Sequence, residues 1–123
     1  MINKLTIRKP NDMHVHFRDD DLLSIVVPET DKTYQNCIVM PNLVPPITSQ
    51  KMAIDYLARI KKYIKKGLKP LMTLYLTENI NTDDMINAFK NNIIVALKLY
   101  PQGATTNSEK GVKNFNNILN ILS

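Results

Sequence analysis

Short apolar stretches alternate along the chain with segments in which apolar residues recur at intervals of three and four. A stretch of five to eight apolar or alternating residues between turn signals predicts a strand, and the longer spacing predicts a helix. The predicted strands are Met13 to Phe17, Tyr34 to Met40, Leu71 to Leu76 and Ile93 to Tyr100. Strand and helix alternate about four times, at intervals of roughly 25 to 30 residues, which is typical of a parallel α/β fold.

The second predicted helix has signals at both ends. Ser49 can accept a hydrogen bond from the first turn as an N-cap, and Gly67 is placed to end the helix. Its apolar stripe consists of Ala53, Leu57, Ile60 and Ile64. This spacing puts all four side chains on one face, which should pack against the predicted sheet.

The other predicted elements rest on weaker signals. A first helix follows Asp20 and should stop at Pro28, and Thr82 should cap a third helix with Asp83 and Asp84 in its first turn. The apolar residues expected on these two helices are Leu22, Leu23, Ile25, Val26, Met85, Ile86 and Phe89. A polar loop runs from Pro101 to Gly111, a last helix includes Phe115, Ile118, Leu119 and Leu122, and Leu5 with Ile7 predicts a short lead-in strand.

Composition places the chain among folded globular proteins. Of its residues, 44% are apolar and 22% are charged, as is typical of globular proteins. A length of 123 residues is enough for one compact domain and too short for two. The longest apolar run, Ile93 to Leu97, is far below the roughly 20 residues of a membrane helix, and Met1 to Pro10 lacks a signal-peptide core. We therefore expect a cytoplasmic protein without a membrane partner.

The net charge of +5 comes partly from a lysine cluster at the end of the second predicted helix. The cluster consists of Lys61, Lys62, Lys65, Lys66 and Lys69. No aromatic residues are interleaved to stack on bases, so a solvated basic face is favoured over a nucleic-acid site. The single cysteine, Cys37, lies in an apolar run and predicts a buried, inert thiol.

Polar side chains collect at the carboxyl ends of the predicted strands, where parallel α/β folds place their active sites. In an extended strand, His14, His16 and Arg18 share one face, so the two imidazoles could bind one metal ion beside a guanidinium suited to a carboxylate. A solvated strand face is the alternative. Asn42 follows the second strand, and Lys98 lies at the end of the fourth, where burying an ammonium is costly. Lys98 could be a base, a Schiff-base lysine, a modified lysine, or a side chain that snorkels to water.

Three motifs in this order resemble dihydroorotases of the shorter bacterial type, which belong to the amidohydrolase superfamily. The motifs are Asp12-Met13-His14-Val15-His16-Phe17-Arg18-Asp19, then Val39-Met40-Pro41-Asn42-Leu43 with Pro45-Pro46, then Lys98-Leu99-Tyr100-Pro101 with Ala104-Thr105-Thr106-Asn107-Ser108. Each motif alone is weak. Together they cover essentially the whole chain and are specific.

The resemblance implies a (β/α)8 TIM barrel and a zinc-dependent cyclic amidohydrolase. Such an enzyme interconverts N-carbamoyl-L-aspartate and L-dihydroorotate in pyrimidine biosynthesis, in the cytoplasm and as a homodimer. His14 and His16 would bind zinc, and Lys98, carboxylated on its amine, would bridge two zinc ions. Arg18 and Asn42 would hold the substrate carboxylate. Thr105 and Thr106 would lie on a mobile loop that closes over the substrate.

The length departs from this family. A (β/α)8 barrel needs roughly 250 residues, so residues 1–123 predict only the N-terminal half, with about four βα units. The remaining metal ligands and the proton-transfer aspartate would lie outside this chain, and we expect the isolated chain to be inactive. One alternative is another cyclic-amide hydrolase of the superfamily, but Arg18, Asn42 and the Thr105-Thr106 loop argue against it. The other is a non-catalytic remnant that acts as an interaction module.

Overall fold

Strands and helices alternate along residues 3–122, the part of the chain that this computed structural model describes. In chain order the elements are β1 Asn11–Val15, α1 Asp21–Thr33, β2 Asn36–Val39, α2 Gln50–Lys61, β3 Lys69–Leu71, β4 Thr73–Tyr75, α3 Thr82–Lys90, β5 Ala96–Lys98, a 3-10 turn Phe115–Ile118 and α4 Leu119–Leu122. No helix among these residues is long and apolar enough to cross a membrane.

All strand pairs are parallel. One sheet has the order β1-β2-β3, and a second pairs β4 with β5. Only Met72 separates β3 from β4, and the Thr73 hydroxyl donates a hydrogen bond to the carbonyl of Val39 on β2 (2.6 Å), so the two sheets adjoin. The predicted α/β class with parallel strands is confirmed.

One contiguous apolar core joins the strands to the first three helices. Its fully buried members include Phe17 after β1, Leu23 and Val27 on α1, and Tyr56 and Ile60 on α2. Burying each side chain of this size stabilises the fold by roughly 1.5–3 kcal/mol. The core therefore fixes the strand ends at which the candidate site lies.

Helix α1 differs from its prediction. It continues to Thr33 with Pro28 inside it, and its buried face carries Leu23 and Val27, whereas Leu22 and Ile25 are exposed. Proline removes one backbone donor from a helix, and the packing of residues on either side of Pro28 outweighs that loss. Pro28 was therefore wrongly predicted to end the helix.

The buried carboxylate of Asp31 anchors the last turn of α1. It accepts hydrogen bonds from the backbone N–H groups of Lys65 (2.7 Å), Lys66 (2.6 Å) and Leu68 (2.8 Å). Burial acts to raise the pKa of this carboxyl, but the three hydrogen bonds and the charge of Lys9 hold the pKa below its usual value. The segment that enters β3 is thereby fixed to α1.

Two predicted boundaries of helices were also wrong. Helix α2 begins after its predicted cap, Ser49, whose hydroxyl accepts from the Met52 N–H, but the helix ends at Lys61. Gly67 lies six residues later, in the loop before β3, with a φ of 91°. Helix α3 is capped by Asn81, whose side chain accepts from the Asp84 N–H, and not by Thr82.

Four apolar segments were misassigned in whole or in part. The predicted strand 71–76 is divided between β3 and β4, which pair with different neighbours. Leu5 and Ile7 form no strand and are 83% and 70% exposed. On α3, Met85 is buried as expected, but Ile86 and Phe89 are 39% and 38% exposed, and Ala88 is the other residue of this helix that is buried in the core. The last predicted helix is a 3-10 turn followed by one short helix, and only Ile118 is buried there.

Candidate metal and carboxylate site

Two histidines meet at the end of β1. His14 lies on the strand and His16 just beyond it, and their Nε2 atoms are 3.2 Å apart. The ring centroids are 5.1 Å apart at an angle of 46°. Val15 and Phe17, the residues that alternate with them, are buried in the core. The alternation therefore directs both imidazoles away from the core and toward one point.

This separation fits two ligands of one zinc ion. Zinc–nitrogen bonds of roughly 2.0–2.1 Å at a tetrahedral angle put the two nitrogens roughly 3.3 Å apart. Partial burial lowers the pKa of His16, as do the nearby charges of Arg18, His14 and Lys98. The neutral imidazole that a metal requires is therefore favoured. No group of three His, Cys, Asp or Glu side chains suited to a metal occurs within residues 3–122.

Lys98 ends β5 and is half-buried. It pairs in register with Tyr75 of β4, and its Nζ atom lies 4.9 Å from the ring centroid of Tyr100. Its charge is close enough to His16 to contribute to the lowered pKa of that imidazole. The structure thus brings Lys98 toward the histidine pair, and its half-buried position is also compatible with snorkelling.

Arg18 does not have the extended strand conformation that the sequence predicts. Strand β1 ends at Val15, and Arg18 adopts a left-handed conformation with a φ of 61°. Within the described part of the chain its guanidinium makes no hydrogen bond or ion pair. It lines a cavity of about 460 Å³, together with Asn107. A half-buried guanidinium without a partner is suited to bind an anion.

Asn42 connects the end of β2 to the loop that follows β5. Only 3% of Asn42 is exposed, and its amide group donates to the carbonyl of Thr106 (3.4 Å) and accepts from the Tyr100 hydroxyl (3.5 Å). In return, the Asn107 side chain donates to the Asn42 carbonyl (3.3 Å). Thr105 and Thr106 are exposed on this loop. Asn107 therefore links Asn42 to the Arg18 cavity, although Asn42, Thr106 and the histidine pair do not themselves line that cavity.

Several residues of this region were not singled out from the sequence. Tyr56 donates its hydroxyl proton to the carbonyl of Arg18 (2.5 Å), and Arg59 binds the Asp19 carboxylate through Nε (2.9 Å) and Nη2 (2.7 Å). Asn107 was part of a recognised motif but had no assigned role. The partners in the first two contacts are about 40 residues apart in the chain, so no local pattern indicates them.

Tyr75 carries an unpaired polar group beside Lys98. Its hydroxyl is buried and has no hydrogen-bond partner within residues 3–122, and its ring lies 5.5 Å from that of Tyr100. Burial raises the pKa of Tyr75, as do the neighbouring Tyr100 and Glu109. The phenol is therefore neutral at pH 7.

The chain is similar in sequence to dihydroorotases over nearly its whole length. Dihydroorotase of Roseobacter denitrificans is 50% identical over 124 aligned positions, covering 99% of this chain and 36% of that protein. The enzyme of Cronobacter sakazakii is 48% identical over 120 positions, covering 96% and 34%. No protein-family model matches the chain. The predicted resemblance is confirmed, and the chain spans about a third of the length of the curated relatives it matches.

Solved structures agree with the sequence comparison. Dihydroorotase of Saccharomyces cerevisiae in complex with 5-fluoroorotic acid superposes with a TM-score of 0.84 at 35% identity, over 91% of this chain and 31% of that one. The Campylobacter jejuni dihydroorotase gives 0.79 at 37% identity, over 87% and 31%. L-hydantoinase of Arthrobacter aurescens, at 17% identity and a TM-score of 0.64 over 81% and 23%, shares the fold alone.

Proposed function

We propose that this chain forms part of a dihydroorotase, the cyclic amidohydrolase that interconverts N-carbamoyl-L-aspartate and L-dihydroorotate in pyrimidine biosynthesis. The observation that carries the proposal is the 50% identity to a dihydroorotase across 99% of the chain. The relatives are about three times as long as this chain. We therefore propose that the isolated chain is inactive, and that residues 1–123 are the N-terminal portion of a cytoplasmic, homodimeric enzyme.

The parallel strands support a partial (β/α)8 barrel of about four βα units. The two sheets follow chain order, with β3 and β4 joined through Met72 alone. Successive parallel strands with intervening helices are the arrangement from which such barrels are built. The candidate residues then belong to the carboxyl-end face, where barrel enzymes hold their catalytic groups.

His14, His16 and a carboxylated Lys98 are the proposed ligands of a two-zinc centre. The 3.2 Å separation of the imidazole nitrogens supports the first two, and the electrostatic proximity of Lys98 to His16 supports the third. Carboxylation converts the Lys98 ammonium into an anion suited to cations. When bound, the zinc pair supplies Lewis-acid polarisation of the reacting carbonyl.

The remaining proposed roles concern substrate binding. Arg18 binds a carboxylate of carbamoyl-aspartate through its planar fork of donors, and the Asn42 amide supplies a further hydrogen bond. Thr105 and Thr106 close over the bound substrate and exclude water from it. No catalytic acid or base is assigned in this chain, because the proton-transfer aspartate belongs to the remaining two thirds of the enzyme.

The test is to join this chain to the remaining two thirds of the Roseobacter denitrificans relative, giving a chimaera that we call the joined protein. We expect it to form dihydroorotate from carbamoyl-aspartate, and we expect the 123-residue chain alone to give no rate above the protein-free control. His14→Ala should abolish the activity. The exposed Thr33→Ala, on the far end of α1, is the matched control and should not change it. A soluble, zinc-loaded joined protein with no turnover would contradict the proposal.

A further inference from the structure

The segment that carries Arg18 has an unusual backbone for its residue types. Arg18 and Asp20 both lie in the left-handed region, with φ values of 61° and 53°. Such a conformation costs a non-glycine residue roughly 1–2 kcal/mol, so it persists only where surrounding contacts impose it. Two side chains of α2 supply those contacts.

Tyr56 holds the backbone of Arg18 directly. Its ring is fully buried, and its hydroxyl donates to the Arg18 carbonyl at 2.5 Å. Burial raises the pKa of Tyr56, with a further increase from the charge of Asp19, so the phenol keeps the proton that it donates. Because the ring is locked in the core, the hydroxyl fixes the position of the carbonyl that it binds.

Arg59 holds the next residue by a two-point contact. Its Nε and Nη2 atoms bind the two carboxylate oxygens of Asp19, and its guanidinium carbon lies 5.3 Å from the ring centroid of Tyr56. The Asp19 Oδ1 atom also accepts from the Asp20 N–H at 3.0 Å. Burial acts to raise the pKa of Asp19, but the hydrogen bonds from Arg59 and Asp20 lower it, so the carboxylate stays charged and bound.

This second contact also controls charge at the cavity. The 460 Å³ cavity is lined by Arg18 but also by the carboxylates of Asp19, Asp20 and Asp55. Free carboxylates repel an anionic substrate. An unpaired carboxylate next to Arg18 would also compete with the substrate carboxylate for the Arg18 guanidinium. Arg59 pairs with Asp19, and Lys51 pairs with Asp55 at 2.6 Å. Among the described residues, the Arg18 guanidinium is left without an internal partner.

From these contacts we propose that Tyr56 and Arg59 are positioning residues: they hold Arg18 in its left-handed conformation and keep Asp19 from pairing with it, so that Arg18 can bind the substrate carboxylate. This inference rests on the proposed function, since it takes Arg18 as the carboxylate-binding residue. Neither Tyr56 nor Arg59 touches the substrate; both act through Arg18.

The test uses the joined protein and the KM for carbamoyl-aspartate. Tyr56→Phe removes one hydrogen bond and should raise KM roughly tenfold with kcat within about twofold and zinc content unchanged. Arg59→Gln should raise KM more than Tyr56→Phe does, because it frees the Asp19 carboxylate to pair with Arg18. The KM of Arg59→Lys should lie between those of Tyr56→Phe and Arg59→Gln. Tyr34→Phe, which removes a tyrosine hydroxyl elsewhere, is the matched control and should leave KM unchanged.

A double-mutant cycle separates positioning from a general structural role. If Tyr56 acts through Arg18, then Tyr56→Phe should add almost nothing to KM once Arg18 is replaced by alanine. Fully additive effects, or an unchanged KM in Tyr56→Phe, would overturn the inference.

Amide exchange gives a second readout that does not depend on activity. In Tyr56→Phe, the amides of Asp20 and Leu23 should exchange roughly tenfold faster, while those of Lys65 and Leu68 should not change. If the joined protein is inactive but exchange rises in this pattern, the proposed function fails and the positioning contact stands. Unchanged exchange at Asp20 overturns the positioning inference whatever the activity.

Discussion

Replacing Asp31 with asparagine should loosen the connection between α1 and the segment that enters β3. The carboxylate is 2% exposed and accepts three backbone hydrogen bonds of 2.6 to 2.8 Å from Lys65, Lys66 and Leu68. Asparagine keeps the size and one acceptor oxygen, but it loses the charge and turns an NH2 group toward backbone donors. The substitution therefore tests the charged acceptor with little change in packing.

The expected cost follows from these bonds. Hydrogen bonds to a charged group contribute roughly 1.5–3 kcal/mol each. The amide oxygen of the introduced asparagine can still accept some of these bonds, and the contributions of the three bonds are not additive. We expect local stability to fall by about 2 kcal/mol, which corresponds to a roughly 30-fold larger open population and therefore to roughly 30-fold faster amide exchange. The amides of Lys65, Lys66 and Leu68 in the joined protein should report this by hydrogen exchange. Asp83→Asn, on the exposed first turn of α3, is the control and should leave these amides unchanged.

The stability difference between wild type and Asp31→Asn should decrease as the pH falls. The folded-state pKa of Asp31 is lowered, so its contribution is fully present above the unfolded pKa of roughly 3.9 and is lost as pH falls through the lower folded value. The difference between wild type and Asp31→Asn should therefore be constant near neutral pH and shrink at acidic pH. Equal exchange in the two proteins at pH 7, or a difference that grows on acidification, would show that the charged carboxylate of Asp31 does not stabilise this segment.

Three further predictions address the site and the helix ends. Arg18→Lys in the joined protein should leave zinc bound but raise KM roughly tenfold, because a point charge cannot reproduce the bidentate fork; metal analysis beside kinetics checks this. Asn81→Ala should destabilise α3 by about 1 kcal/mol and Thr82→Ala by clearly less, as measured by chemical unfolding, with the reverse order contradicting the observed cap. Burial, with a smaller effect of Asp12, raises the pKa of Cys37 to about 12, so the folded protein should resist alkylation at pH 8, and rapid labelling would contradict its buried position.

Local signals were predicted well where the deciding contact is close in the chain. The Ser49 cap was predicted correctly, because a cap and its partner lie within three residues, and the acidic first turn of α3 was also correct, although its cap is Asn81 and not the neighbouring Thr82. Pro28 was misread because its effect depends on how the flanking turns pack, which the sequence pattern does not contain. The division of 71–76 into two strands depends on which neighbours each half pairs with, and those partners lie far away in the chain.

In the candidate site, too, the contacts between residues close in the chain were predicted and those between distant residues were not. Strand alternation placed His14 and His16 together, and the structure brings their nitrogens to 3.2 Å even though the strand ends between them. The alternation was wrong for Arg18, which follows the strand with a left-handed backbone and whose carbonyl accepts a hydrogen bond from Tyr56 of α2. Contacts of this kind join residues about 40 positions apart, so periodicity along the chain cannot predict them.

The zinc content of the joined protein, compared between wild type and Lys98→Ala, tests the proposed metal centre most directly. We expect two zinc ions per chain in the wild type, and fewer, together with loss of dihydroorotate formation, in Lys98→Ala. Added short carboxylic acids should restore part of both by occupying the vacated bridge. If Lys98→Ala keeps both zinc ions and normal turnover, Lys98 does not bridge the metals, and its half-buried position at the end of β5 reflects snorkelling to water.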